Sequence, residues 1–171
     1  MHSPALPALV EAIRRRGYEV VAPFCQRGRD TYYDTVTDAN MGQVRLHVPN
    51  PYYPPKRFLL PPIERLLRVK RVDGRYAIEP AYEAPRLAIF GIRSCDVAGI
   101  HHLDRFYLGR EFRDPYYERR RKGVLLINVV CTDPEVDIDE ACFCVCADTG
   151  PAARGHFDLQ LMDLGAEEIL A

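Results

Sequence analysis

No stretch of this chain is apolar for long enough to cross a membrane as a helix. The longest run, GVLLINVVC at 123–131, is about half of the roughly 20 residues a span requires. An excess of basic charge is also missing: 23 Lys and Arg stand against 24 Asp and Glu, a formal net charge of −1. That balance argues against a nucleic-acid binder. The opening MHSPALPALVEAIRRRG has no apolar core behind a basic start, so a secretory signal is not expected and a cytoplasmic location is. The paired C-x-x-C knuckles common in zinc sites do not occur, nor does the C-x-x-C-x-x-C run of ferredoxins. Without a G-x-G-x-x-G fingerprint, any flavin or nicotinamide is expected on a partner. Internal repeats and low-complexity linkers are absent too.

What is present is thiol. The chain has six cysteines, Cys25, Cys95, Cys131, Cys142, Cys144 and Cys146. In a reducing compartment they are not expected to form disulfides, and cysteines one residue apart close too small a ring for easy bridging. Clustered thiols then point to metal or cluster binding, or to redox work. The plainer alternative is a buried cysteine acting as a small hydrophobe, which suits Cys25, alone after an apolar run.

With 171 residues, 47% apolar and 27% charged, the chain reads as one folded domain over 1–171. Residues 4–16 read as an amphipathic helix ended by Gly17. YEVVAPF reads as a buried strand stopped by Pro23, and QVRLHV as a strand with one wet face. Six prolines between 49 and 62 impose extended, polyproline-like chain. Pro61 and Pro62 suit the first turn of a helix over PPIERLLRVKR. A turn at Asp73-Gly74 leads into a hairpin arm. RLAIFGI is a strand, and Val97, Ile100 and Leu103 then recur at helical spacing, with Ser94 or Asp96 as the cap. A helix at DPYYERRRK, the buried strand GVLLINVVC and a last strand FDLQLMDLG follow. The alternation predicts an α/β domain (α+β being the variant), with a mixed sheet flanked by helices and cysteine loops at strand ends.

Cys95 falls at a strand-to-helix junction, where free amide hydrogens and the helix dipole favour a thiolate. Arg93 either adds to that effect or is a solvated surface charge. If CFCVC is extended, its sulfurs share one side about 6.6 Å apart, so the outer two, about 13 Å apart, serve one centre only if the chain curls. At least one of the three is then a spare, and spacing does not say which. Four thiolates suit zinc and iron–sulfur equally. A third reading makes Cys95 an enzyme nucleophile.

The stretches FGIRSCDVAGIHHLDRFYL, DPYYERRR, INVVC, ACFC and GHFDLQLMDLG, with PPKRFLLPPIERLLR upstream, resemble the amino-terminal domain of a family of redox subunits. That family includes the beta subunit of cytoplasmic sulfhydrogenases and its counterpart in anaerobic sulfite reductase. The likeness covers roughly 50–165, with Ser94 where the family writes proline. It implies an electron-transfer component of an anaerobic oxidoreductase, non-catalytic by itself, partnered by a flavin or nicotinamide diaphorase or a catalytic subunit. The family's recurring cysteines fall on Cys95, Cys131, Cys142 and Cys144, the complement of one [4Fe–4S] cluster, with Cys146 the spare. Relatives continue into a ferredoxin-like part with further cysteine motifs that this chain lacks, so it reads as either a piece of a longer protein or a stand-alone form.

Around such a centre, Arg93 and the helix start near Asp96 would supply compensating charge and donors. Phe143 and Val145 would face away and seat the loop in apolar packing. His101 and His102 read as surface or packing residues, RRRK at 119–122 as a solvated face or a docking patch, and Asp96 as a cap rather than a catalytic acid.

Overall fold

The apolar runs read from the sequence become the centre of one sheet. In the computed structural model, residues 5–26, 30–48, 50–132, 142–165 and 168–170 are described. The strands are β1 (Glu19–Gln26), β2 (Asp30–Thr35), β3 (Leu67–Val72), β4 (Arg75–Pro80), β5 (Leu87–Arg93), β6 (Val124–Val129), β7 (Leu159–Gly165) and β8 (Glu168–Leu170). The α-helices are α1 (Ala5–Arg15), α2 (Ser94–Leu108) and α3 (Pro115–Lys122). A six-stranded sheet runs β2-β1-β5-β6-β7-β8. Its four inner strands are parallel and its two edges antiparallel. This is the mixed-sheet α/β domain expected. Strands buried on both faces must be apolar throughout, and β5 is buried at every residue.

Helices cover both faces. Leu6, Val10 and Ile13 of α1 pack with Ala22, Ala88, Phe90 and Ile127. On the other face Val97 and Ile100 of α2 and Tyr117 of α3 meet Ile89, Ile92 and Leu126. Strict alternation would put Ile92 with Phe90. The register slips between them, at Gly91, whose φ of +74° only glycine adopts without strain. A Cβ there would stand 2.9 Å from Pro23 Cδ. The bulge sends Ile92 to the α2 side and turns Arg93 to the opposite one, the re-aiming that bulges provide beside sites.

Several local expectations change. Pro23 does not stop β1; it lies inside it, opposite Tyr33 of β2, beyond Val21 where pairing with β5 ends. Its missing N–H therefore leaves no ladder partner wanting. QVRLHV is not a strand: Met41–Gln43 is a 3-10 turn, followed by a single bridge from Val44 to Phe24. PPIERLLRVKR is not a helix. Its second half is β3, paired with β4 through a turn in which Asp73 and Gly74 both have positive φ, the type that matches hairpin twist. Ile63, Leu66 and Leu67, which would have formed the helix's apolar stripe, are exposed, so no core exists for it to dock on.

Helix α3 starts where expected, because the Asp114 carboxylate accepts from the amides of Tyr116 and Tyr117 and Pro115 occupies the first turn. Its basic run is a solvated face only in part, at Arg119 and Lys122. Arg120 is buried, donating from Nε to the Leu59 carbonyl at 2.8 Å and pairing with Glu64. Arg121 Nε lies 3.0 Å from the Asp104 carboxylate. Arg119 does stand over the Tyr82 ring, 4.0 Å from its centroid.

Candidate metal centre

Three remote segments carry five of the six thiols, and one carbonyl joins these segments. Cys95 is the second residue of α2, Cys131 lies two residues beyond β6, and Cys142, Cys144 and Cys146 belong to the turn that leads to Pro151. The Pro151 carbonyl accepts the Ser94 hydroxyl at 2.7 Å and the Cys131 amide at 3.4 Å. Ser94 Oγ in turn accepts from Asn128 Nδ2 at 3.2 Å, and the same amide donates to the Ile92 carbonyl at 2.8 Å. Ser94 and Asn128 are both buried. This hydrogen-bonded clasp locks the α2 start, the end of β6 and the cysteine loop together.

The 142–149 segment is curled rather than extended. The amides of Ala147 and Thr149 donate to the carbonyls of Phe143 and Cys144 at 3.0 and 2.8 Å. The curl removes the spacing limit that extended chain would impose. Cys144 comes against Gly150, where a Cβ would sit 3.2 Å from its sulfur and 3.7 Å from Ser94 Cβ. Phe143 and Val145 point into solvent, so the apolar seating expected of them is not formed. Cys146 is exposed, and Cys25 is half-buried in β1.

The electrostatics place three thiols in one neighbourhood. Burial pushes Cys95 up to about 11, and the charges of Asp96, Cys131 and Cys144 push the same way. The Asp96 amide at the helix start pulls the thiol down, the direction expected, but burial outweighs it. Burial also lifts Asp96 to about 6, while Lys56 and Arg93 pull it down. Asp96 is no cap, for α2 has no side-chain cap bond, and neither is Ser94. Arg93, half expected to be solvated, is buried: Nη1 donates to Cys131 Sγ at 3.3 Å and Nη2 to the Val48 carbonyl. Asn50 Nδ2 lies 3.6 Å from Cys142 Sγ. None of the six cysteines is in a disulfide, and among the described residues no group of three or more His, Cys, Asp or Glu side chains already stands at metal-holding distance.

Compared with known proteins, the chain is 31% identical over 170 residues to sulfhydrogenase 2 subunit beta of Pyrococcus furiosus. The likeness to this beta subunit runs along almost the whole chain. The match spans 96% of this chain and 45% of that protein, so the chain covers about half the length of its relative. No family model and no solved structure matches it. Among the described residues no helix is long and apolar enough to cross a membrane.

The site contains residues that motif reading did not find. Asn128 had a signal, as the lone polar residue inside GVLLINVVC. Tyr33, buried with its hydroxyl donating to the Gly91 carbonyl at 2.9 Å, and Asn50 had none. Burial drives the Tyr33 hydroxyl far above its ordinary range, within reach of the charges of Asp96, Arg93, Cys95 and Cys131. Removing the clasp hydroxyl by Ser94→Ala is expected to lower stability by about 1 kcal/mol, and to speed loosening of the 142–151 loop, read by amide exchange. Unchanged exchange there would sink the clasp.

His101 and His102 hold the packing and surface positions expected. The His101 ring stacks on His156, centroids 3.4 Å apart, and both line a cleft of about 340 Å³ with Ser94 and Arg154. Burial, then the neighbouring His156 and Arg105, holds His101 below its ordinary value. On acidification the unfolded chain therefore takes up this proton first, and stability is lost as pH falls below about 6.5. His156→Gln should flatten that slope in denaturant midpoints between about pH 7.5 and 5.5; an unaltered slope refutes the assignment.

Proposed function

We propose that this chain is an electron-transfer component of a hydrogenase- or sulfur-reductase-type oxidoreductase, holding one [4Fe–4S] cluster through Cys95, Cys131, Cys142 and Cys144. The observation that carries the reading is the clasp at Pro151, which gathers the three segments bearing those thiols. The donor set fits chemically: it is all sulfur, the soft ligand type of iron–sulfur and zinc centres. The charges of Cys131 and Cys144 already reach Cys95, and Cys142 is in the same curl as Cys144. When bound, such a centre supplies one-electron transfer.

The chain's own residues hold and tune it. Arg93 aims an N–H at the Cys131 sulfur and Asn50 aims one at Cys142. Donors to ligand sulfur stabilise negative charge and raise the potential. Gly150 keeps space beside Cys144. Partner redox subunits would carry any flavin or nicotinamide, in the cytoplasm, and the chain would form one iron–sulfur domain. The thiol-enzyme alternative is disfavoured by Cys95 itself, since a thiol held near 11 is a poor nucleophile at neutral pH. Anaerobic purification should give brown protein with about four irons and four sulfides per chain. Colourless protein with stoichiometric zinc would replace this reading by a structural zinc module.

A further inference from the structure

The ribbon of β3 and β4 is exposed on both faces. Its ladder sets Leu67 opposite Pro80, Val69 opposite Ile78 and Arg71 opposite Tyr76 on one face. The reverse face carries Arg68, Lys70, Val72, Arg75 and Glu79. On the first face Leu67, Val69, Ile78 and Tyr76 are 55, 59, 65 and 74% exposed. Such a ribbon is marginal by itself in water. Its base is anchored where the Tyr116 hydroxyl donates to the Leu66 carbonyl at 2.5 Å and Tyr82 packs on Tyr116.

Charge names what would cover it. Lys70 pairs with Glu79 and Glu64 with Arg120. Among the described residues Arg65, Arg68, Arg71 and Arg75 make no ion pair, and Asp73 is the one further acid of the ribbon. The arm is thus basic on a chain of net charge −1. A second copy would oppose like charges. A bilayer would satisfy the apolar face but leave the reverse-face cations pointing away from its headgroups. A protein cleft satisfies both, and exposed Tyr and Arg are the side chains from which interface hot spots are made.

We propose that the β3–β4 arm inserts into a partner protein of the redox complex, its apolar face against an apolar wall and its arginines against that partner's carboxylates. This rests on the assembly part of the proposed function and not on the cluster. The test uses the tagged full chain, purified anaerobically with its complex from cells that produce it. Ile78→Glu should cut the co-purifying partner at least tenfold with iron content unchanged. Arg68→Glu with Arg71→Glu should weaken association and flatten its salt dependence, while Phe112→Glu, exposed elsewhere, should leave it intact. Amides of 67–80 should be protected from exchange in the complex and not in the isolated chain. The proposal falls if Ile78→Glu assembles normally, if those amides exchange equally in both states, or if the arm's apolar face instead mediates a homodimer or flotation on phosphatidylglycerol vesicles. An iron-free complex with a protected arm overturns the cluster reading alone; a chain purified without any partner overturns the arm and the assembly together.

Discussion

Cys131→Ser is expected to reduce bound iron from about four per chain to below one, and Cys95→Ser, Cys142→Ser and Cys144→Ser to do the same. Each removes one of four thiolates, and a serine hydroxyl is a hard, poorly ionised substitute. Cys146→Ser and Cys25→Ser should keep full iron, since neither belongs to the proposed ligand set. The informative comparison is Cys142 against Cys146, which sit at opposite ends of the same curl. Loss of iron in Cys146→Ser with retention in Cys142→Ser would invert the ligand assignment. The measurement is iron and sulfide per chain after anaerobic desalting, with the visible absorption as the second readout.

Arg120→Met is expected to destabilise the fold by about 3 kcal/mol or more, because removing one partner of a buried pair strands the other. Here two groups lose their partner, the Glu64 carboxylate and the Leu59 carbonyl. Leu59 is itself fully buried, so water cannot take the arginine's place there without opening the core. Arg120→Lys should not restore stability, for an ammonium cannot reach the carbonyl and the carboxylate in the same fork geometry. Urea midpoints at constant slope measure the effect. A loss below about 0.5 kcal/mol, the size of an exposed pair, would mean that this arginine is solvated after all.

Arg120 also shows where motif reading stops. RRRK looks the same whether it faces water or core, and the difference is made by Leu59 and Glu64, far earlier in the chain. The stretch 61–71 failed for a related reason. Ile63, Leu66 and Leu67 fit a helical stripe, but a stripe forms a helix only where a core receives it, and pairing with 75–80 was available through Asp73-Gly74. By contrast β5, α2 and β6 were legible, because a strand buried on both faces must be written in apolar letters and an amphipathic helix must repeat its own period.

The cysteine segment divides the same way. Its sulfur content and its place beyond strand ends were readable; its curl was not, since the turn depends on backbone bonds that no residue type announces. Arg93 was undecided between solvent and site until the slip at Gly91 aimed it at Cys131.

By itself the sequence determined the chemistry on offer, namely six thiols, apolar core strands and a balanced charge, since these belong to the residues. Only the tertiary structure decided which thiols share a neighbourhood, which arginines are buried and which apolar face is left uncovered. Burial and proximity are relations between remote parts of a chain, and they come into being when it folds.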